Sequence, residues 1–358
     1  MQRIYLDYNA TTPIAPSVVE AMQPFFTEHF GNPSSTHSLG RATHQAIEDA
    51  RNEIAELLGS WPDEVVFTSG GSESNNLAIK GAIQRAGKPA GQHLIISSIE
   101  HPATTKPAAY LKQLGCEVSV CPCDSQGVID PVEVARLMQP NTTLVSIMHA
   151  NNEVGTIQPI REIGQMCRER AVLFHTDAAQ SVGKIPTHVN ELNVDLLTIA
   201  GHKLYAPKGV GALFVRRGTD LEPLIHGAGH EQGLRAGTEN VPYMVGLGTA
   251  ARLVNRSLAQ TSTRLSELRD ELKSQLCAAV GAELRINGGD ATVLPNTLSV
   301  NFPNVHGYEL LARTPELCAS TGSACHSGDS TLSPTLAAMG FAAAQANGTV
   351  RLLSLIHI

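Results

Sequence analysis

A chain of 358 residues in which 42% of side chains are hydrophobic and 16% charged can bury a large core, which excludes a disordered or fibrous protein. Its 33 acidic residues outnumber its 26 basic ones, for a formal charge of -7, so it lacks the basic excess that nucleic-acid backbones attract. No run approaches about 18 consecutive apolar residues, and the first 20 residues lack the pattern of a signal peptide. The expectation is a soluble, cytoplasmic protein with neither a nucleic-acid nor a membrane partner.

From about residue 40 to 250, apolar runs alternate with helix-length amphipathic stretches, the pattern of a mainly parallel sheet covered by helices in an α/β fold. In chain order, the expected strands are Val65 to Thr68, His93 to Ser97, Glu117 to Val120, Thr143 to Met148, Val172 to His175, Leu196 to Ile199 and Gly211 to Val215. The expected helices between them are Ser72 to Ala86, Thr104 to Leu114, Pro131 to Met138 and Pro159 to Glu169, two of which begin with proline in the first turn. Beyond Val241 a long helical stretch reaches about Val280. A strand, Thr297 to Asn301, and a helix starting near Gly307 then suggest a smaller α+β domain. The domain reading is residues 15–257 for a large domain, with 1–14 and 258–358 forming a small one.

The seven cysteines, at 116, 121, 123, 167, 277, 318 and 325, are odd in number and contain no Cys-x-x-Cys pair, so neither a disulfide framework nor a metal site is expected. In an open α/β sheet, ligands sit beyond the carboxyl ends of the strands, which directs attention to the loops there. Ser69-Gly-Gly-Ser72 frees backbone amides at a helix start and can cradle an anion, although Ser72 can equally be an ordinary cap. Asp177, expected just past a strand end, can hold a proton on a pyridine nitrogen or simply be solvated. Gln180 follows within reach of the same ring. Lys203, between an apolar strand and a Pro/Gly-rich turn, is a candidate for a desolvated amine, with Lys208 as its competitor. His101 is placed to stack on a planar ring and shuttle protons or to be an ordinary polar loop residue, and an Asn amide of Asn151-Asn-Glu-Val-Gly155 to hold a carboxylate or ring oxygen unless that segment is only a turn. Cys325, in Thr-Gly-Ser-Ala-Cys-His-Ser-Gly, is a thiol on a Gly/Ser-rich loop.

Eight segments occur in one order: Tyr5-Leu-Asp-Tyr-Asn-Ala-Thr-Thr-Pro13, Gly31-Asn-Pro-Ser-Ser-Thr-His37, Phe67-Thr-Ser-Gly-Gly-Ser-Glu-Ser-Asn-Asn76, His149-Ala-Asn-Asn-Glu-Val-Gly155, Asp177-Ala-Ala-Gln-Ser-Val-Gly-Lys184, Gly201-His-Lys203, Arg235-Ala-Gly-Thr-Glu-Asn240 and Gly322-Ser-Ala-Cys325. Together they resemble the cysteine desulfurases that feed iron-sulfur cluster assembly, within the class V aminotransferases, over residues 4 to about 352. The resemblance implies the fold of the pyridoxal-phosphate-dependent transferases (aspartate aminotransferase-like), with a large, mainly parallel seven-stranded sheet domain and a smaller α+β domain.

It also implies pyridoxal 5'-phosphate as cofactor and L-cysteine as substrate, with alanine as product and the sulfur left on Cys325 as a persulfide. Lys203 would carry the cofactor, with His101 stacking and moving protons. Asp177 would face the pyridine nitrogen and Gln180 the phenolic oxygen. Gly71, Ser72 and His202 would hold the phosphate, and Thr238 would reach it across a homodimer interface. Asn152 and Arg351 would hold the substrate carboxylate. A sulfur acceptor such as an iron-sulfur scaffold protein is the implied partner.

Two departures from the family pattern stand out. Ala200 occupies a position where members often carry a phosphate-binding serine, and the ending Arg351-Leu-Leu-Ser-Leu-Ile-His-Ile358 suggests a truncated terminus. The Cys-His-Ser stretch at 325–327 also resembles selenocysteine lyases, so that activity is an alternative. A catalytically impaired sulfur-relay or partner-binding protein is another.

Overall fold

The computed structural model describes residues 3–321 and 332–354. Its centre is a seven-stranded sheet in the order Val65–Thr68, Gly211–Val215, Leu196–Ala200, Leu173–Asp177, Thr142–Ser146, His93–Ser97 and Glu117–Cys121. Gly211–Val215 runs antiparallel to both neighbours, and the other pairings are parallel. Every residue of His93–Ser97, Leu196–Ala200 and Gly211–Val215 is buried. Strands covered by helices on both faces need apolar side chains on both, which is why these runs do not alternate.

The helices Gly71–Arg85, Pro102–Gln113 and Ile160–Glu169 lie within a few residues of their expected bounds. Pro159 proves to be the residue before its helix, whereas Pro102 opens one. Ser38–Leu58, a 21-residue helix outside the expected elements, packs along Val241–Val280. Asp177, expected just past a strand end, is instead the last residue of its strand.

A three-stranded antiparallel sheet, with Thr297–Asn301 between Thr349–Leu353 and Arg285–Ile286, forms the second layer. The N-terminal segment joins this side of the molecule. Ile4–Tyr5 pairs in parallel with Leu317–Cys318, and Asp7 bridges to Leu353. Residue 257 lies within the continuous helix Val241–Val280. Early in that helix, Val241, Met244, Leu247, Ala251 and Val254 enter the main core. Near its end, Leu272, Leu276 and Val280 pack on the small-sheet cluster, so one rigid element ties the two layers together.

A buried ion pair pins the edge of the main sheet. Arg51 Nη1 and Nη2 donate to Glu231 Oε2 and Oε1, both at 2.8 Å, and the Phe67 amide donates to the same carboxylate at 2.7 Å. The two side chains are 7% and 2% exposed, against 54% and 73% for the surface pair Arg85–Asp220. Removing one partner of a buried pair strands the other charge out of water, at a cost of about 3–5 kcal/mol. Glu231→Ala is therefore expected to lower stability in urea unfolding by about that amount, and Asp220→Ala by less than about 1 kcal/mol. Equal effects would refute the assignment.

Candidate active site

The parallel strands end on one side of the sheet, and the loops that leave them converge there, where an open α/β sheet forms its ligand crevice. A cavity of about 540 Å³ lies at that edge. Its lining includes Gly71, Ser72, His101, Asn152, Asp177, Gln180, His202 and Lys203, so eight of the sequence-derived candidates are brought to one place.

The helix Gly71–Arg85 begins at one wall. Its preceding residue, Gly70, has φ +148 and ψ 179, and no side chain caps the first amides. A Cβ at Gly70 would meet nothing within 4 Å, so glycine is required here by backbone conformation and not by crowding. Free amides and the helix dipole make this wall a seat for an anion. Ala200 lies beside it, its Cβ 3.2 Å from where a Cβ on Gly71 would stand.

Asp177 is fixed by two donors, Asn75 Nδ2 at 2.6 Å on Oδ2 and the Ala179 amide at 2.9 Å on Oδ1. Lys203 Nζ donates to the carbonyls of Ala10, at 2.9 Å, and Asn9. Burial, reinforced by the Arg351 charge, lowers its pKa to about 8 despite Asp7 and Asp177. The competitor Lys208 also lines the cavity, but it is exposed and donates to the Thr12 carbonyl at 3.2 Å.

His101 Nδ1 accepts from the Ala103 amide at 3.1 Å, which leaves the proton of the neutral ring on Nε2. Burial lowers its pKa, outweighing the pull of Asp177, and Lys203 lowers it further. His202, whose Nδ1 lies 3.2 Å from Thr11 Oγ1, is lowered to about 4 by burial and by the charges of Lys203 and Lys208.

Arg351 does not line the cavity. Its guanidinium donates to the Asn152 carbonyl and to Asp7 Oδ1, each at 2.8 Å, one residue removed from the wall. Thr238 is exposed on a loop and stands apart from the lining. Cys325 lies outside the described residues, but both flanks of its segment are placed. The Arg351 amide donates to the Ser320 carbonyl at 2.7 Å, and Glu153 accepts from Ser333 and, at 3.1 Å, from Thr335.

A family model for aminotransferase class-V matches residues 4–356. A cysteine desulfurase IscS from Dictyoglomus turgidum is 45% identical over 352 residues, covering 98% of this chain and 89% of its own length. The chain belongs to the cysteine desulfurase family of class-V aminotransferases. The IscS of Methanosarcina thermophila is 44% identical, with 98% and 86% covered. Among solved structures, a NifS-like protein superposes with a TM-score of 0.91 at 38% identity, covering 99% of this chain and 94% of its own. A protein described as SspA in complex with cysteine gives 0.87 at 40% identity, with 99% of both chains covered.

Enzymes of this family depend on pyridoxal phosphate, and the cavity fits that group. It has an open helix start for a phosphate, an anchored carboxylate for a pyridinium and an amine of lowered pKa for an aldehyde. Among the described residues, no three His, Cys, Asp or Glu side chains are grouped to hold a metal, and no helix is long and apolar enough to cross a membrane.

Several residues of this desulfurase-family site were not singled out from sequence. Asn9, in the segment Tyr5–Pro13, and Asn75, in Phe67–Asn76, carry no local sign of what they touch. Glu100, beside His101 in sequence, is buried and accepts from Ser97 and from the Met148 amide. Burial pushes its carboxyl from an ordinary 4.5 up to about 8. Between those values the folded state holds the proton that the unfolded chain has released. The stability Glu100 contributes is thus full below about pH 4.5 and is lost as pH rises to about 8. Glu100→Gln cannot ionise, so its melting temperature relative to the parent should climb across that window and then level. A pH-independent difference would contradict the assignment.

Proposed function

We propose that this chain is a cysteine desulfurase that converts L-cysteine to L-alanine and leaves the sulfur on Cys325 as a persulfide. The observation that carries the reading is the meeting of Lys203, Asp177, Gln180, His101 and an uncapped helix start around one cavity. Pyridoxal phosphate, when bound, supplies an electron sink for the charge left at the substrate Cα once its proton is removed.

In this reading, the open amides of Gly71 and Ser72, with His202, hold the phosphate. Asp177, oriented by Asn75 and Ala179, keeps a proton on the pyridine nitrogen, and Gln180 donates to the phenolic oxygen. Lys203 Nζ would hold the cofactor's aldehyde end and, as a free amine, would take the substrate Cα proton. A pKa near 8 leaves a useful share of neutral amine at neutral pH. His101 stacks on the ring and hands protons on through Nε2. Asn152 and Arg351 receive the substrate carboxylate, Arg351 by exchanging its present partners for it.

Cys325, as thiolate, attacks the substrate sulfur. The Sγ–S bond forms as the substrate Cβ–S bond breaks, and protonation of the three-carbon remainder yields alanine. The flanks of its segment are rooted at Arg351 and at Glu153, next to Asn152, which supports delivery of that thiol to the substrate's end of the cavity. We assign residues 15–257 to the cofactor domain, with 1–14 and 258–358 as the smaller domain. The exposed Thr238 fits a homodimer in which it serves the other subunit's phosphate. Iron-sulfur assembly is the destination of the sulfur, through a scaffold protein as acceptor. The six described cysteines are free thiols, in keeping with a cytoplasmic setting.

Purified protein with pyridoxal phosphate and a reductant is expected to form alanine from L-cysteine, and both Lys203→Ala and Cys325→Ser to abolish turnover. Cys325→Ser should still show the absorption of bound cofactor. A folded, cofactor-loaded parent that releases no alanine would sink the reading. Arg351→Lys keeps the charge but loses the two-pronged grip, so KM for cysteine should rise by about tenfold or more. An unchanged KM would remove Arg351 from the carboxylate site.

A further inference from the structure

The strand Leu173–Asp177 runs into a tight turn, in which the amides of Ser181 and Val182 both donate to the Ala178 carbonyl and that of Lys184 donates to the Ser181 carbonyl. The turn, with Gly183 at φ +76 inside it, folds Lys184 back onto Gln180. Lys184 is only 2% exposed. Its Nζ donates to Gln180 Oε1 and to Asn9 Oδ1, each at 3.1 Å, so these two partners are amide oxygens and not carboxylates. A lysine buried against neutral acceptors keeps most of its desolvation cost, and a hydrophobic residue of like volume would fill the space more cheaply.

A side-chain amide has a donor end and an acceptor end, and only the acceptor end can face an ammonium. Lys184 therefore decides which way two amides point. Gln180, which lines the cavity, turns Oε1 to Lys184 and Nε2 to the Asn9 carbonyl, at 3.2 Å. Asn9 turns Oδ1 to Lys184 and Nδ2 to the Asn152 carbonyl, also at 3.2 Å. The Asn9 main-chain carbonyl, in turn, receives Lys203.

We propose that Lys184 is a positioning residue for the reaction: by donating to both Gln180 and Asn9 it fixes the two amides so that Gln180 presents N–H to the cofactor's phenolic oxygen. Burial, aided by the charges of Lys203 and Arg351, lowers its pKa to about 7, and a neutral amine would retain enough N–H bonds for both acceptors. The proposal rests on the desulfurase reading, and the test separates the two.

Lys184→Met is compared with the parent in two backgrounds, Gln180 intact and Gln180→Ala, following the absorption spectrum of bound cofactor, its pH titration, kcat and KM for L-cysteine. With Gln180 intact, Lys184→Met should shift the spectrum and lower kcat about tenfold, leaving KM within about threefold. On the Gln180→Ala background the same change should alter kcat by less than about twofold, because the amide it orients is gone. An unshifted spectrum with parental kcat, or equal losses in both backgrounds, overturns the proposal. Should Lys184→Met not fold, Lys184→Gln, a shorter donor, takes its place. A severalfold loss confined to the Gln180 background supports the proposal, whereas parental activity or an equal loss in both backgrounds overturns it. A parent that forms no alanine defeats the desulfurase reading instead, and the spectral comparison still decides the role of Lys184.

Discussion

Asn9 is the point on which the site's geometry hangs. Its side chain binds Lys184 and the Asn152 carbonyl, and its main-chain carbonyl receives both Gln180 and Lys203. It reaches this place because the N-terminal segment leaves its pairing with Leu317–Cys318 and Leu353, crosses to the main sheet and is held there by bonds between Thr12 and His202. An irregular segment can be buried in this way only if its polar groups find partners, and the partners it finds include Gln180 and Lys203 of the cavity wall. Fold stability and site geometry therefore draw on the same hydrogen bonds.

Charge is the second constraint. Lys184 feels the charges of both Lys203 and Arg351, and Lys203 feels that of Arg351, with Asp7 and Asp177 as the acidic counterweight at Lys203. Desolvation leads in both lysine shifts, and the neighbouring cations add to it. The proposed reaction, in which Lys203 both holds the cofactor and accepts a proton, gains from that crowding, because neither lysine is locked in its charged form at neutral pH.

The two layers also meet through Gly155, which follows the Asn152 loop at φ +81. A Cβ there would stand 2.7 Å from the Thr297 Cβ, so both conformation and contact exclude a side chain. The Leu294 amide bonds the Gly155 carbonyl at 2.8 Å, and Thr156 bridges to Val293. Asn152 is thereby held against the small sheet that carries Arg351. The two groups assigned to the substrate carboxylate are thus joined by backbone contacts as well as by their own hydrogen bond.

Much of this was legible in the chain itself. Buried parallel strands are continuous apolar runs, so the strands and the helices between them lie close to their expected places, and short loops after those strands pointed to one edge of the sheet. Ser38–Leu58 lies outside those expected elements, and tertiary packing along Val241–Val280 gives it its place. The order of the eight segments determined the family, and with it the candidate roles of Lys203, Asp177 and His101. What sequence could not supply were contacts across long separations: Asn9 with Lys203 and Lys184, Asn75 with Asp177, Arg351 with Asp7, and Arg51 with Glu231. Local pattern reports the periodicity of an element and the chemistry of a loop. Only the folded chain decides which buried polar groups meet, because that depends on how residues more than a hundred positions apart satisfy one another once water has been excluded.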